Sequence, residues 1–209
     1  MPHINADFES YVSVDVETAG PNPSQYSMLA IGACMVCDPQ RTFYVELQPT
    51  SDNVLPSALS ICGLSMEELA ENGLTPAEAM ARFEIWAKEQ VPEVHRPLFV
   101  AFNASFDWMF VNDYFHRYIG ANPFGHSAID IKAFYMGLTG VSWEETAMRH
   151  VADRYLDRQD LTHNALQDAQ DQAALFRHML AELEQKQSLS SGIRSGTEAK
   201  TPLGAQARR

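Results

Sequence analysis

Long apolar runs are missing from this chain of 209 residues. Its most hydrophobic stretch, Met28–Val36, falls well short of the ~20 residues that a membrane-spanning helix requires, so no such helix is expected. The N-terminus lacks a basic segment followed by an apolar one, which argues against a secretory signal. Cysteine is scarce: Cys34, Cys37 and Cys62 are the full set. An odd, low count excludes a disulfide framework and points to a reducing, cytoplasmic setting. Cys34-Met-Val-Cys37 has the spacing of half a zinc site, but no second pair or histidine cluster completes it, and both residues read as buried core cysteines. Positive charge is also short, with 15 Lys and Arg against 27 Asp and Glu, a net of −12. From Lys186 onward five basic residues accompany a single acid, Glu198; removing these from the totals leaves ten basic and 26 acidic residues in 1–185, a net of −16. So acidic a body disfavours extended nonspecific contact with duplex nucleic acid. It is compatible with a phosphate ligand where metal ions carry the local positive charge.

What is present is ordinary globular material, 45% hydrophobic and 20% charged, enough for one sizeable core. Tyr11–Glu17 alternates, with Val12, Val14 and Val16 on one face and Ser13, Asp15 and Glu17 on the other, as a strand does. Met28–Val36 and Thr42–Leu47 read as two more strands, with Asp38-Pro39 between them, giving an antiparallel meander. Ser65 and Glu68 have capping-box spacing, and Thr75-Pro76 starts a helix to about Gln90. Leu98–Phe102 is uniformly apolar, as in a central strand covered on both faces. A helix to about Tyr118, a short strand near Ala128–Ile131, a helix from about Ser142 and a last helix from about Asn164 to Glu184 complete the order. Strands first, then strands alternating with helices, predict an α/β layered fold on a mixed sheet. Residues 1–185 form the expected domain, and 186–209, without periodicity, a flexible basic C-terminal tail.

Three local patterns carry candidate chemistry. In Asp15-Val16-Glu17 the two carboxylates share a strand face and can meet one cation; alone, the pattern more often describes a solvated strand face. In Phe102-Asn103-Ala104-Ser105-Phe106-Asp107 the chain passes from buried strand to helix, where α/β folds place functional groups. Alone, Asn103 or Ser105 is a helix cap and Asp107 a favourable first-turn charge. In His163-Asn164-Ala165-Leu166-Gln167-Asp168 the outer two residues would stand about 140° apart on a continuous helix. They converge only if His163 lies on the loop entering the helix, a boundary that a Thr162 cap would set.

Taken in this order, the patterns resemble the DEDD superfamily of 3′–5′ exonucleases. Asp15, Glu17, Thr18 and Gly20 meet its Asp-x-Glu-Thr-x-Gly motif; Asn103, Ala104, Phe106 and Asp107 meet the second; His163, Asp168 and Ala169 meet the third. Asp-Val-Glu-Thr-Ala-Gly at 15–20 is similar to ribonuclease T. Asn164 stands where the tyrosine branch carries Tyr, and His163 matches the histidine branch, DEDDh. Departures are Phe102 for the usual His, Ala30 for a frequent Glu, and Cys62-Gly63 for a frequent His-Gly.

The resemblance implies a ribonuclease H-like mixed five-stranded sheet flanked by helices, and hydrolysis of phosphodiesters with two Mg²⁺ ions, Mn²⁺ substituting. It implies Asp15 as bridging ligand, Glu17 and Asp168 on one ion, Asp107 on the other, and His163 as general base. Val16, Thr18, Ala19, Asn103 and Phe106 would meet the terminal nucleotide. The implied partners are single-stranded DNA or RNA 3′ ends, with a homodimer or polymerase association also open. The chemistry suits hard, oxygen-ligating ions. Asp171, one turn past Asp168, competes for the same role but lacks the histidine spacing. A noncatalytic nucleic-acid-binding or polymerase-associated module is the alternative, as is an endonuclease on a related fold.

Overall fold

A computed structural model describes residues 10–92, 95–156 and 164–196, without the side chains of 191–196. The alternating segment forms β1 (Tyr11–Thr18), followed by β2 (Met28–Met35) and β3 (Thr42–Glu46). β1 pairs antiparallel with β2, and β2 with β3, as the expected meander. Three helices follow, α1 (Pro56–Cys62), α2 (Met66–Asn72) and α3 (Pro76–Glu89). Then come β4 (Leu98–Ala101), α4 (Ala104–Tyr118), β5 (Ala128–Asp130) and α5 (Ile131–Thr139). A 3₁₀ turn at Glu144–Thr146, α6 (Met148–Tyr155) and α7 (Ala165–Gly196) end the order. β4 pairs parallel with β1 and β5 with β4, so the mixed five-stranded sheet runs β3-β2-β1-β4-β5.

Each face of β1 answers a different layer. Val12, Val14 and Val16 enter a core with Phe83 of α3 and Phe110, Val111 and Phe115 of α4. On the opposite face Tyr11 meets Phe176 of α7 edge to face at 5.2 Å. Cys34 and Val100 pack there with Ala173, Phe176 and Met179 of α7. α7 turns small residues to the sheet: Ala165, Ala169 and Ala173, four apart, are 1%, 0% and 0% exposed. Gly32, the cross-strand neighbour of both Asp15 and Tyr44, lies beneath them. A Cβ on Gly32 would overlap the Ala165 carbonyl and the Leu166 amide nitrogen. The helix therefore touches the sheet backbone, and the Cys34 thiol reaches the Ala169 carbonyl at 3.5 Å.

Several local expectations change. The reciprocal capping box forms at Thr75 and Glu78, whereas Ser65 accepts from the Glu68 amide alone. The helix expected from Ser142 is a single 3₁₀ turn, because Thr146 bonds back to the Trp143 carbonyl and Glu145 to Ser142; α6 starts only at Met148. The last helix does not stop at Glu184. Lys186, placed at the head of the expected tail, pairs with Glu182 at 2.9 Å and donates to the Leu138 carbonyl at 2.7 Å, carrying the helix over that boundary. Residues 197–209 of that expected tail lie outside the described residues. Of the two paired cysteines, Cys34 is buried as expected, but Cys37 is exposed, since β2 ends before it. Among the described residues no helix is long and apolar enough to cross a membrane.

Gly32→Ala is expected to lift α7 from the sheet, at the roughly 1–3 kcal/mol or more typical of overpacking. Thermal unfolding should report this as a midpoint lowered by several degrees; an unchanged midpoint would mean that α7 does not rest on Gly32.

Candidate active site

The parallel strands β1, β4 and β5 deliver their C-terminal ends to one edge, and the site is built there. Asp15 and Glu17 stand two apart on β1, on the face turned to α7. Asp168, in the first turn of α7, arrives from above. One carboxylate oxygen from each of Asp15, Glu17 and Asp168 lies within 4.8 Å of the others. Asp171 is buried and accepts from Gln167 at 3.2 Å but is not part of that group.

Asp107 joins from α4, at 4% exposure. Its Oδ1 accepts the amide N–H of Val16 at 3.1 Å, so the strand carrying two acids also orients a third. After burial, the Asp107 charge is the largest push on Asp15, ahead of Glu17 and Asp168. Asp15 is thereby held well above the usual carboxylate range. Burial and the Asp168 charge raise Glu17 to about 7. Burial raises Asp107 to about 8, against the Val16 hydrogen bond that favours its anion. Four acids sharing one partly dry pocket oppose one another's ionisation.

Two further residues, which sequence reasoning passed over, hold this arrangement. Gln172 donates from Nε2 to Asp15 Oδ1 at 2.7 Å and accepts the Phe102 N–H at 2.9 Å. Its signal was its place on α7, four residues and so one turn beyond Asp168. Asp130, at the end of β5, accepts the Ala104 amide at 2.7 Å and the Ala133 amide at 2.8 Å. One carboxylate therefore caps both α4 and α5. Neither Asn103 nor Ser105 has to cap α4: Asn103, at its N-terminus, makes no side-chain cap bond. Asn103 instead takes a left-handed backbone, φ 64° and ψ 48°, a conformation Asn tolerates better than most residues. Nothing local in the sequence announces a cap that comes from 26 residues away.

The nucleotide-facing residues divide. Asn103 is exposed at the corner. Phe106 is half-buried and packs on Phe110 at 5.4 Å. Thr18 is 8% exposed, with its hydroxyl donating to the Gly20 carbonyl at 3.0 Å. Val16 belongs to the core, and Ala19 is fully buried with its N–H given to Ser27 and its carbonyl to Leu55. The structure therefore does not bring the Val16 and Ala19 side chains to the site's surface, because they fill the other face of β1 and the turn behind it. Trp108 packs edge-on to Phe99 at 5.2 Å, and Phe110 is fully buried. His163 lies outside the described residues.

This geometry has counterparts. Residues 12–176 match the family profile described as Exonuclease, named for ribonuclease T. A 3′-5′ DNA exonuclease, Cap18, of Escherichia coli is 45% identical over 186 residues, covering 89% of this chain and 99% of that protein. A ribonuclease T from Shewanella denitrificans is 27% identical over 190 residues, covering 85% of this chain and 84% of that one. Among solved structures, the nuclease domain of 3′hExo, a DEDDh family member, bound to rAMP, superposes with a TM-score of 0.67 at 14% identity. It covers 85% of this chain and is itself covered to 94%. The profile spans the strand, the corner and the helix that bring the acids together, and a relative at 45% identity aligns along almost its whole length: the chain belongs to the exonuclease family named for ribonuclease T.

Proposed function

We propose that this exonuclease is divalent-metal dependent, acts on single-stranded DNA 3′ ends in a reducing cytoplasm, and releases nucleoside 5′-monophosphates. The observation that carries this reading is the convergence of Asp15, Glu17 and Asp168 oxygens within 4.8 Å, with Asp107 tied to the same strand. The fit to Mg²⁺, or to Mn²⁺ in its place, lies in the donor set. Every candidate ligand is a hard oxygen, and the acids' raised proton affinity marks a negative charge that a cation would relieve. Asp15 would bridge two ions, Glu17 and Asp168 would complete one, and Asp107 would hold the other. When bound, the ions supply Lewis acidity to the attacking water and the leaving 3′-oxygen.

The chain's own groups do the rest. The Val16 N–H and the Gln172 carboxamide fix the two acids at the centre. His163, by resemblance to the family's third motif, would be the base whose imidazole nitrogen takes the water's proton. The exposure of Asn103, on a corner pinned by Asp130, supports a contact with the terminal nucleotide. DNA is favoured over RNA because the relative at 45% identity is named a DNA exonuclease, whereas the ribonuclease T relative shares 27%. Three free cysteines support a reducing compartment.

A 3′-labelled single-stranded oligodeoxynucleotide should lose its label as mononucleotide in Mg²⁺ and stay whole in EDTA. A circular substrate should remain uncut, and RNA of the same sequence should be degraded more slowly. Asp15→Ala and Asp107→Ala are each expected to lose roughly a thousandfold or more, the equivalent of several kcal/mol. His163→Ala should lose roughly 10²–10⁴-fold while still binding metal. Full activity in Asp107→Ala, or cutting of the circle, would overturn the assignment.

The raised carboxyls also set a pH dependence. Without metal, the folded protein keeps protons on Glu17 and Asp107 up to about 7 and about 8, whereas the unfolded chain releases them near pH 4. Stability from these groups is fully present below that range and is lost as pH rises through 7 to 8. The unfolding midpoint in EDTA should therefore fall between pH 5 and pH 8, by less in Asp15→Asn. Mg²⁺ should raise the midpoint more at pH 8 than at pH 5; an equal effect at both would contradict this account.

A further inference from the structure

Gln172 is 3% exposed, and both ends of its carboxamide are used. The orientation is not arbitrary. The Phe102 backbone N–H can only donate, so it selects Oε1, and Nε2 is left to face Asp15. An amide bonded at both ends in a buried position is restricted to one rotamer. It therefore restrains the position of Asp15 Oδ1, and with it the rotation of the carboxylate. Oδ1 accepts the hydrogen bond from Gln172 Nε2, which leaves Oδ2 and one lone pair of Oδ1 as the positions open to an ion.

Asp15 needs such a restraint more than its neighbours do. It sits among Asp107, Glu17 and Asp168, all of like charge, and repulsion favours turning it away from them. Asp107 meets the same problem with a backbone donor, Val16 N–H. Among the described residues no backbone N–H bonds the Asp15 carboxylate, and the donor comes from α7 instead. Phe102, which anchors Gln172, lies on the strand-to-helix corner leading to Asp107. Four segments are thus joined in a ring: β1 to α4 through Val16 and Asp107, α4 to the end of β4 along the chain, β4 to α7 through Phe102 and Gln172, and α7 back to β1 through Gln172 and Asp15.

We propose that Gln172 is a positioning residue of the metal site, which holds the Asp15 carboxylate in the orientation that receives the ion and ties that orientation to the corner carrying Asp107. This inference rests on the metal-dependent reading above. A group that orients a ligand acts on ion affinity first, and loss of such a partner commonly weakens metal binding 10–100-fold.

The test compares the wild-type protein with Gln172→Met, which keeps the length without either polar end, and Gln172→Glu, which keeps the acceptor for Phe102 and removes the donor to Asp15. Mn²⁺ binding is measured by calorimetry, Mg²⁺ dependence by cleavage of a single-stranded oligonucleotide, and unfolding with and without Mn²⁺. Both variants are expected to bind Mn²⁺ 10–100-fold more weakly. Half-saturation for Mg²⁺ in cleavage should rise by a similar factor, and saturating Mg²⁺ should restore most of the rate. A merely structural glutamine would lower the metal-free unfolding midpoint and leave the Mn²⁺-induced increment untouched. That result, wild-type or tighter Mn²⁺ affinity in both variants, or failure of both to fold, overturns the proposal. Wild-type protein that neither binds Mn²⁺ nor needs a divalent ion overturns the functional reading itself, which separates the two failures.

Discussion

The contact on which the rest of the site depends is backbone against backbone, where α7 lies on Gly32. Two carboxylates on a strand are a common surface feature; a third is needed from a separate element, at a distance that side-chain packing between helix and sheet would ordinarily prevent. Gly32 has no side chain, and Ala165, Ala169 and Ala173 present almost none. The helix axis therefore drops to the level at which Asp168 reaches the oxygens of Asp15 and Glu17. Four small residues thus set how closely α7 approaches the acids of β1.

That closeness has an electrostatic consequence, which the fold manages with hydrogen bonds. Folding alone leaves the acids crowded and reluctant to ionise. The protein holds two of them by N–H donors, one from a strand backbone and one from a buried amide, and leaves the set ready for a cation. Under the proposed metal-dependent reading the arrangement would be preorganised for catalysis, because the carboxylates would not have to be gathered around an ion.

Much of this was legible in the sequence. The alternation of 11–17 gave the strand and the shared face of Asp15 and Glu17; the apolar run at 98–102 gave a central strand; and the order of three short motifs gave the family. The rest was not legible, for identifiable reasons. Gly32 reads as one glycine in an apolar strand until the helix above it is known. Asp130 caps a helix that begins 26 positions earlier, and no local pattern encodes that bond. Gln172 has no motif and gains its meaning only from Phe102 and Asp15. Val16 and Ala19, expected near a nucleotide, face inward because β1 has only two faces and the acids occupy the other. The 3₁₀ turn after Ser142 and the persistence of α7 beyond Glu184 go with a few side-chain bonds, of Thr146 and Glu145 in the first case and of Lys186 in the second.

The bond from Gln172 to Asp15 spans 157 positions and the one from Val16 to Asp107 spans 91. A site closed by pairings so distant in the chain has no partial form. During synthesis, the amino-terminal strand carries its two acids long before the last helix exists, and in that interval the pair is an ordinary polar strand face. A chain that has not yet reached residue 165 therefore holds at most three of the four acids and lacks the Gln172 bond to Asp15.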